Sequence, residues 1–84
     1  MKVIERWEVA ATTEVVLEGE SSIATYRIEA QRRIHHPDSS VPEFRAVYLK
    51  QSDSGLFEPV ERPWVRESSA DGAINRAVEW LTGA

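Results

Sequence analysis

Two successive stretches of two-residue alternation constrain this chain more than any other feature. Trp7, Val9, Ala11, Thr13, Val15 and Leu17 share one parity, against Arg6, Glu8, Ala10, Thr12 and Glu14 on the other. The pattern returns with Ala24, Tyr26, Ile28, Ala30 and Ile34 against Thr25, Arg27, Glu29, Gln31 and Arg33. Successive side chains of a strand point to opposite faces, so each stretch reads as a strand with one buried face. The polar run Glu18-Gly19-Glu20-Ser21-Ser22 supplies the turn between them. The buried parity is odd in the first strand and even in the second, which restricts the register. A tight turn centred on Glu20-Ser21 then sets Val15 opposite Tyr26, Thr13 opposite Ile28 and Trp7 opposite Ile34. On the other face it sets Glu14 against Arg27 and Glu8 against Arg33, opposite charges worth ~0.2–1 kcal/mol per pair.

The rest of the chain extends this hairpin. His35-His36-Pro37-Asp38-Ser39-Ser40-Val41-Pro42 has two prolines and no period, and reads as a connection. Residues 44–51 are apolar on both parities, which suits a central strand. Ser52-Asp53-Ser54-Gly55 is a hairpin loop, with Gly55 fitted to positive φ. Residues 56–66 form a fourth strand whose Pro59 and Pro63 share one parity, placing both missing amide hydrogens on the open edge of the sheet. The last element is a helix. Ser68 or Ser69 can cap it, and Asp71 stands three residues after Ser68 as a variant capping box. Ala70, Ala73, Ile74, Ala77, Val78 and Leu81 make one apolar stripe, Trp80 sits on its shoulder, and Gly83 closes it. The expected fold is α+β: a four-stranded antiparallel meander, β-β-β-β-α, with strands near 3–17, 23–34, 44–51 and 56–66. A helix near 69–82 packs on one face.

With 84 residues the chain is expected to be a single domain spanning 1–84, too short for a deep pocket. A hydrophobic share of 42% beside 29% charged residues places it among globular chains rather than disordered ones. The absence of cysteine excludes a disulfide scaffold, a thiolate zinc site and a cysteine nucleophile. Residues 1–6 contain no apolar leader core, and no run approaches the ~18 apolar residues of a membrane span; a cytoplasmic protein without membrane contact is the expectation. A net charge of −4 opposes non-specific binding to nucleic acid.

Chemistry is sparse. His35, His36 and Asp38 are the one metal-like group, but a site needs three or four converging ligands with supporting partners, so no metal and no cofactor is expected. Every serine cluster falls in a turn or at the helix start, where the hydroxyl serves local hydrogen bonds. There is no nucleophile elbow and no phosphate loop. The expectation is a protein that is not an enzyme. The order β-β-β-α resembles the later part of a double-stranded-RNA-binding domain in topology alone. That family opens its last helix with a lysine-rich run, whereas Glu67-Ser68-Ser69-Ala70-Asp71 stands here, and its acidic groups repel phosphate.

Two features point to binding. A single helix covers one face of a four-stranded sheet, which leaves Val47, Leu49 and Val60 on the uncovered face, with Val16 and Ile23 contributing. Trp64, following Pro63 on the edge strand, is expected to be partly exposed, and tryptophan is enriched in binding hot spots. These features suggest a small protein-binding module of adaptor or inhibitor type, docking another protein or its own copy through Trp64, Val47, Leu49 and Val60. The alternative is anion or nucleic-acid binding through Arg32, Arg33, Arg45, Arg62 and Arg66, gathered at one end of the sheet with Arg45 opposite Arg62.

Overall fold

The computed structural model describes residues 1–34, 42–61 and 66–83. Four antiparallel strands lie side by side in chain order: β1 (Trp7–Glu18), β2 (Ile23–Arg33), β3 (Phe44–Gln51) and β4 (Phe57–Val60). A two-residue strand, β5 (Arg66–Glu67), pairs with the start of β3, and the helix α1 (Ala70–Thr82) lies across the sheet. This is the α+β meander expected from the alternation, with one difference. The fourth stretch is not continuous: β4 covers the second half of β3 and β5 its first half, in registers offset by three residues. Pro63 and Trp64 lie outside the described residues, as does Arg62.

The first hairpin keeps the expected register from Ala11 to Glu18, with Val15 opposite Tyr26, Thr13 opposite Ile28 and Glu14 opposite Arg27. Its loop is closed by the Gly19 amide donating to the Ser22 carbonyl at 2.7 Å. Beyond Ala11 the register slips. Ala11 opposes Ala30 but Val9 opposes Gln31, so Ala10 is an extra residue and forms a β-bulge. Trp7 therefore faces Arg33 rather than Ile34, and Glu8 faces Arg32 rather than Arg33. The expected Glu8–Arg33 pair does not form; the Glu8 carboxylate takes Arg6, just before the strand, at 2.9 Å. The extra residue also turns Trp7 and Val9 from the parity of Val15 to that of Gln31 and Arg33. Trp7 is thus not part of the core beneath the helix.

The core forms where α1 meets β2 and β3. Ile28 is fully buried, Tyr48 and Ala77 nearly so, and Val15, Ala46, Val60, Ile74, Val78 and Leu81 pack around them. Ala73 and Ala77 are the buried helix positions, and their small side chains let the helix backbone come close to the sheet. Ser69 is the N-cap: its hydroxyl accepts from the Gly72 amide at 3.0 Å. The capping box counted from Ser68 is not formed, because the third helical position is Gly72, which has no side chain to reach back. A Cβ there would lie 2.9 Å from the capping oxygen. Asp71 in the first turn suits the helix dipole, and Gly83 closes the C-terminus at φ 74°.

The least dimension of the fold is 19 Å, enough for one sheet and one helix but not for a further layer at ~10 Å spacing. One face of the sheet therefore has no covering layer among the described residues.

Ile28→Ala should lower unfolding free energy by about 2–5 kcal/mol, since the cavity opens where sheet and helix meet. Ser69→Ala should cost about 1 kcal/mol by losing the cap. Urea unfolding followed by circular dichroism measures both, and equal losses would place the stability elsewhere than in this contact.

Candidate functional site on the uncovered sheet face

Parity and register decide which side chains meet on the uncovered face. In β2 the even residues Tyr26, Ile28 and Ala30 are buried toward α1, so Arg27, Glu29, Gln31 and Arg33 lie on the other side. Their β3 partners are Leu49 opposite Arg27, Val47 opposite Glu29 and Arg45 opposite Gln31. Pro59 continues the row from Leu49, and Phe57 pairs with Gln51. From β1 come Glu14 and Val16, and, through the bulge, Val9 and Trp7.

Two arginine–aromatic stacks frame this surface. The Arg27 guanidinium lies 4.1 Å from the centre of the Phe57 ring, and the Arg45 guanidinium lies 4.1 Å from that of Trp7. Each arginine is held by a second partner. Arg27 pairs with Glu14 across the hairpin at 3.1 Å, and Arg45 Nε donates to Gln31 Oε1 at 2.8 Å. Gln31 Nε2 in turn donates to Glu29 Oε1 at 3.2 Å. Trp7 Nε1 donates to Glu5 Oε1 at 2.7 Å, so the indole is fixed from its edge as well as its face. Between the two stacks lie Val47 and Leu49, both half-buried. The result is a short apolar strip with a flat cation–aromatic pair at each end, held by hydrogen bonds before any partner arrives.

Val47 and Leu49 occupy the face expected for them, and Val60 does not. It pairs with Tyr48 and packs into the core under α1, because the hairpin loop takes in Leu56 as well as Ser52–Gly55, closed by the Ser52 amide donating to the Leu56 carbonyl, and this shifts the register by one residue. Phe57 and Pro59 take the place assigned to it. Trp64 lies outside the described residues. Phe57 was missed because the loop extends one residue past Gly55, and Trp7 because a bulge at Ala10 leaves no composition signal.

The arginine end is only partly assembled. Arg45 opposes Arg66, not Arg62, whose position lies outside the described residues. Glu43 lies between two of the cations: Oε2 is 3.4 Å from Arg33 Nη1 and Oε1 is 2.8 Å from Arg66 Nε. Its side chain is only 15% exposed, and Oε1 accepts no well-aligned hydrogen bond, so that contact is an ion pair. Arg32 belongs to the parity of Ile28 and Ala30 and so stands on the helix side, away from Arg33 and Arg45. Among the described residues, Arg32 is thus set apart from Arg33, Arg45 and Arg66.

Among the described residues no group of three or more His, Cys, Asp and Glu is placed to hold a metal, and His35, His36 and Asp38 lie outside them. An open hollow of about 330 Å³ at the β3–β4 hairpin is walled by Lys50, Asp53, Glu58 and Pro59. Its charges are mixed, and the Ser52 hydroxyl at its rim is hydrogen-bonded to that of Ser54 at 2.8 Å. Among the described residues no helix is long and apolar enough to cross a membrane. No known protein family, no curated protein and no solved structure matches the chain.

Glu43→Gln should remove the half-buried carboxylate that pairs with both Arg33 and Arg66 and lower stability by about 1–2 kcal/mol, between the cost expected for exposed and for buried pairs. The loss should shrink at high salt. Denaturant unfolding at two ionic strengths tests this, and identical stability of variant and parent at low salt would show that water already solvates the pair.

Proposed function

We propose that this chain is a non-enzymatic docking module of adaptor or inhibitor type that receives a partner protein on the uncovered face of its sheet. The observation that supports this reading is the pair of arginine–aromatic stacks bracketing Val47 and Leu49. Arginine and aromatic side chains dominate binding hot spots because they bury large area around a directed polar group. Here Arg27, Arg45, Trp7 and Phe57 are already ordered by contacts within the chain, so little side-chain freedom remains to be lost on binding. A cytoplasmic setting fits a chain without cysteine. The anion-binding alternative has weaker support: Glu43 already occupies Arg33 and Arg66, and Arg32 stands on the other face.

The test is a tagged pull-down from native lysate with and without nuclease, using the parent chain, Leu49→Asp and Arg66→Glu. A protein partner that survives nuclease, is lost with Leu49→Asp and is kept with Arg66→Glu is the expected result. Recovery that depends on nucleic acid and disappears with Arg66→Glu would overturn the reading in favour of the arginine end.

A further inference from the structure

The two edges of this sheet are unlike. The β4 edge is four residues long and carries Pro59, which cannot donate to a neighbouring strand. The β1 edge is twelve residues long and contains neither proline nor lysine, the residues that most often block edge-to-edge pairing. Among the described residues no strand pairs with its outer side. Exposed apolar residues gather here as well: Val9 and Val16 lie on β1, and Met1, Val3 and Ile4 lie on the chain leading into it. We propose that the outer edge of β1 pairs with β1 of a second copy, joining two sheets into one across a two-fold axis.

Charge and the bulge together select a single register. In a symmetric antiparallel pair, like faces meet only when the axis passes through a residue rather than between two. An axis through Ala11 needs Glu8 to meet Glu14 across the bulge, where the two lie on opposite faces, and one through Thr13 leaves only Ala11–Val15 of each strand paired within the regular stretch. An axis through Glu14 opposes it to its own copy, and one through Val16 sets Glu14 against Glu18. These last two place like charges face to face, which is destabilising. An axis through Thr12 avoids this but needs Val9 to meet Val15 across the bulge, where the two lie on opposite faces. An axis through Leu17 leaves only Val16–Glu18 of each strand paired. The axis through Val15 has none of these faults. It sets Val15 against its copy and Thr13 against Leu17 on the helix side, and Glu14 against Val16 and Thr12 against Glu18 on the other, all within the regular stretch after the bulge. The bulge then ends the pairing, because it bends Trp7–Val9 out of line. This surface is separate from the Val47–Leu49 strip, so the two readings stand or fall independently.

Sedimentation or light scattering of the full chain over a wide concentration range tests the pairing, with three variants beside the parent. Val16 is 63% exposed, so either charge is tolerated there by the fold. Val16→Glu creates two like-charged pairs with Glu14 of the partner copy and should raise the dimer dissociation constant by about tenfold. Val16→Lys places opposite charges there and should hold or tighten the dimer. Leu49→Asp should leave it unchanged. Amide exchange of the parent supplies a check that needs no variant: protection in residues 12–18 should grow with concentration while residues 7–10 stay constant. A monomer at all concentrations overturns the proposal. So does a dimer that Val16→Glu and Val16→Lys weaken alike, or one that Leu49→Asp alone disrupts.

Discussion

Everything else in this structure depends on how closely α1 lies against Ile28 and Tyr48. The helix positions that meet the sheet are Ala73 and Ala77, so its backbone settles directly over the two central strands. That close approach buries Ile28 completely in a chain that has little other interior. It also sets a limit. A thirteen-residue helix is ~20 Å long at 1.5 Å per residue, about the width of four strands at ~4.8 Å spacing. It covers one face once, and no second helix among the described residues covers the other. The open face is a direct consequence of placing the one helix among the described residues on the other side.

A face left in this way must hold its own side chains in order. It does so with cross-strand pairs instead of a packed layer: Arg27 between Glu14 and Phe57, Arg45 between Gln31 and Trp7, Glu43 between Arg33 and Arg66. Each guanidinium that stacks on an aromatic ring sheds water from one plane and keeps its rim for hydrogen bonds. The apolar strip between the stacks is thereby kept accessible without collapsing, since its neighbours are committed elsewhere. A core residue placed there would gain little, because no element among the described residues lies above it.

How much of this was legible in the residue order depends on whether the deciding force is local. Alternation is local, and it was enough to give the meander, the hairpin pairs from Ala11 to Glu18, the Glu14–Arg27 contact and the central place of β3. Helix ends are local too, hence Ser69 and Gly83. The bulge is not. Val9-Ala10-Ala11 is as good a strand as its neighbours, and only the competition between twist, pairing and the position of Trp7 decides that Ala10 is extra. One such residue reverses the face of everything before it, so Trp7 moved from expected core to the candidate site. Val60 was misplaced by a similar one-residue slip: a loop of Ser52–Gly55 would set it against Val47, but Leu56 joins the loop and sets it against Tyr48. The break between β4 and β5 was hidden because the chain after Val60 keeps its strand-like composition while the register against β3 jumps by three residues.

The bulge also acts on both the open face and the β1 edge. By turning Trp7 onto the uncovered face it gives Arg45 its aromatic partner, and by bending β1 it shortens the edge that can accept another strand to the stretch from Ala11 onward. Without Ala10 the edge would run straight for its whole length and would admit pairings in more than one register, the condition under which sheet edges aggregate. With it, the acidic side chains at Glu14 and Glu18 suffice to exclude the remaining wrong alignments. A single inserted alanine thus limits what the edge can pair with while completing one of the two stacks on the open face.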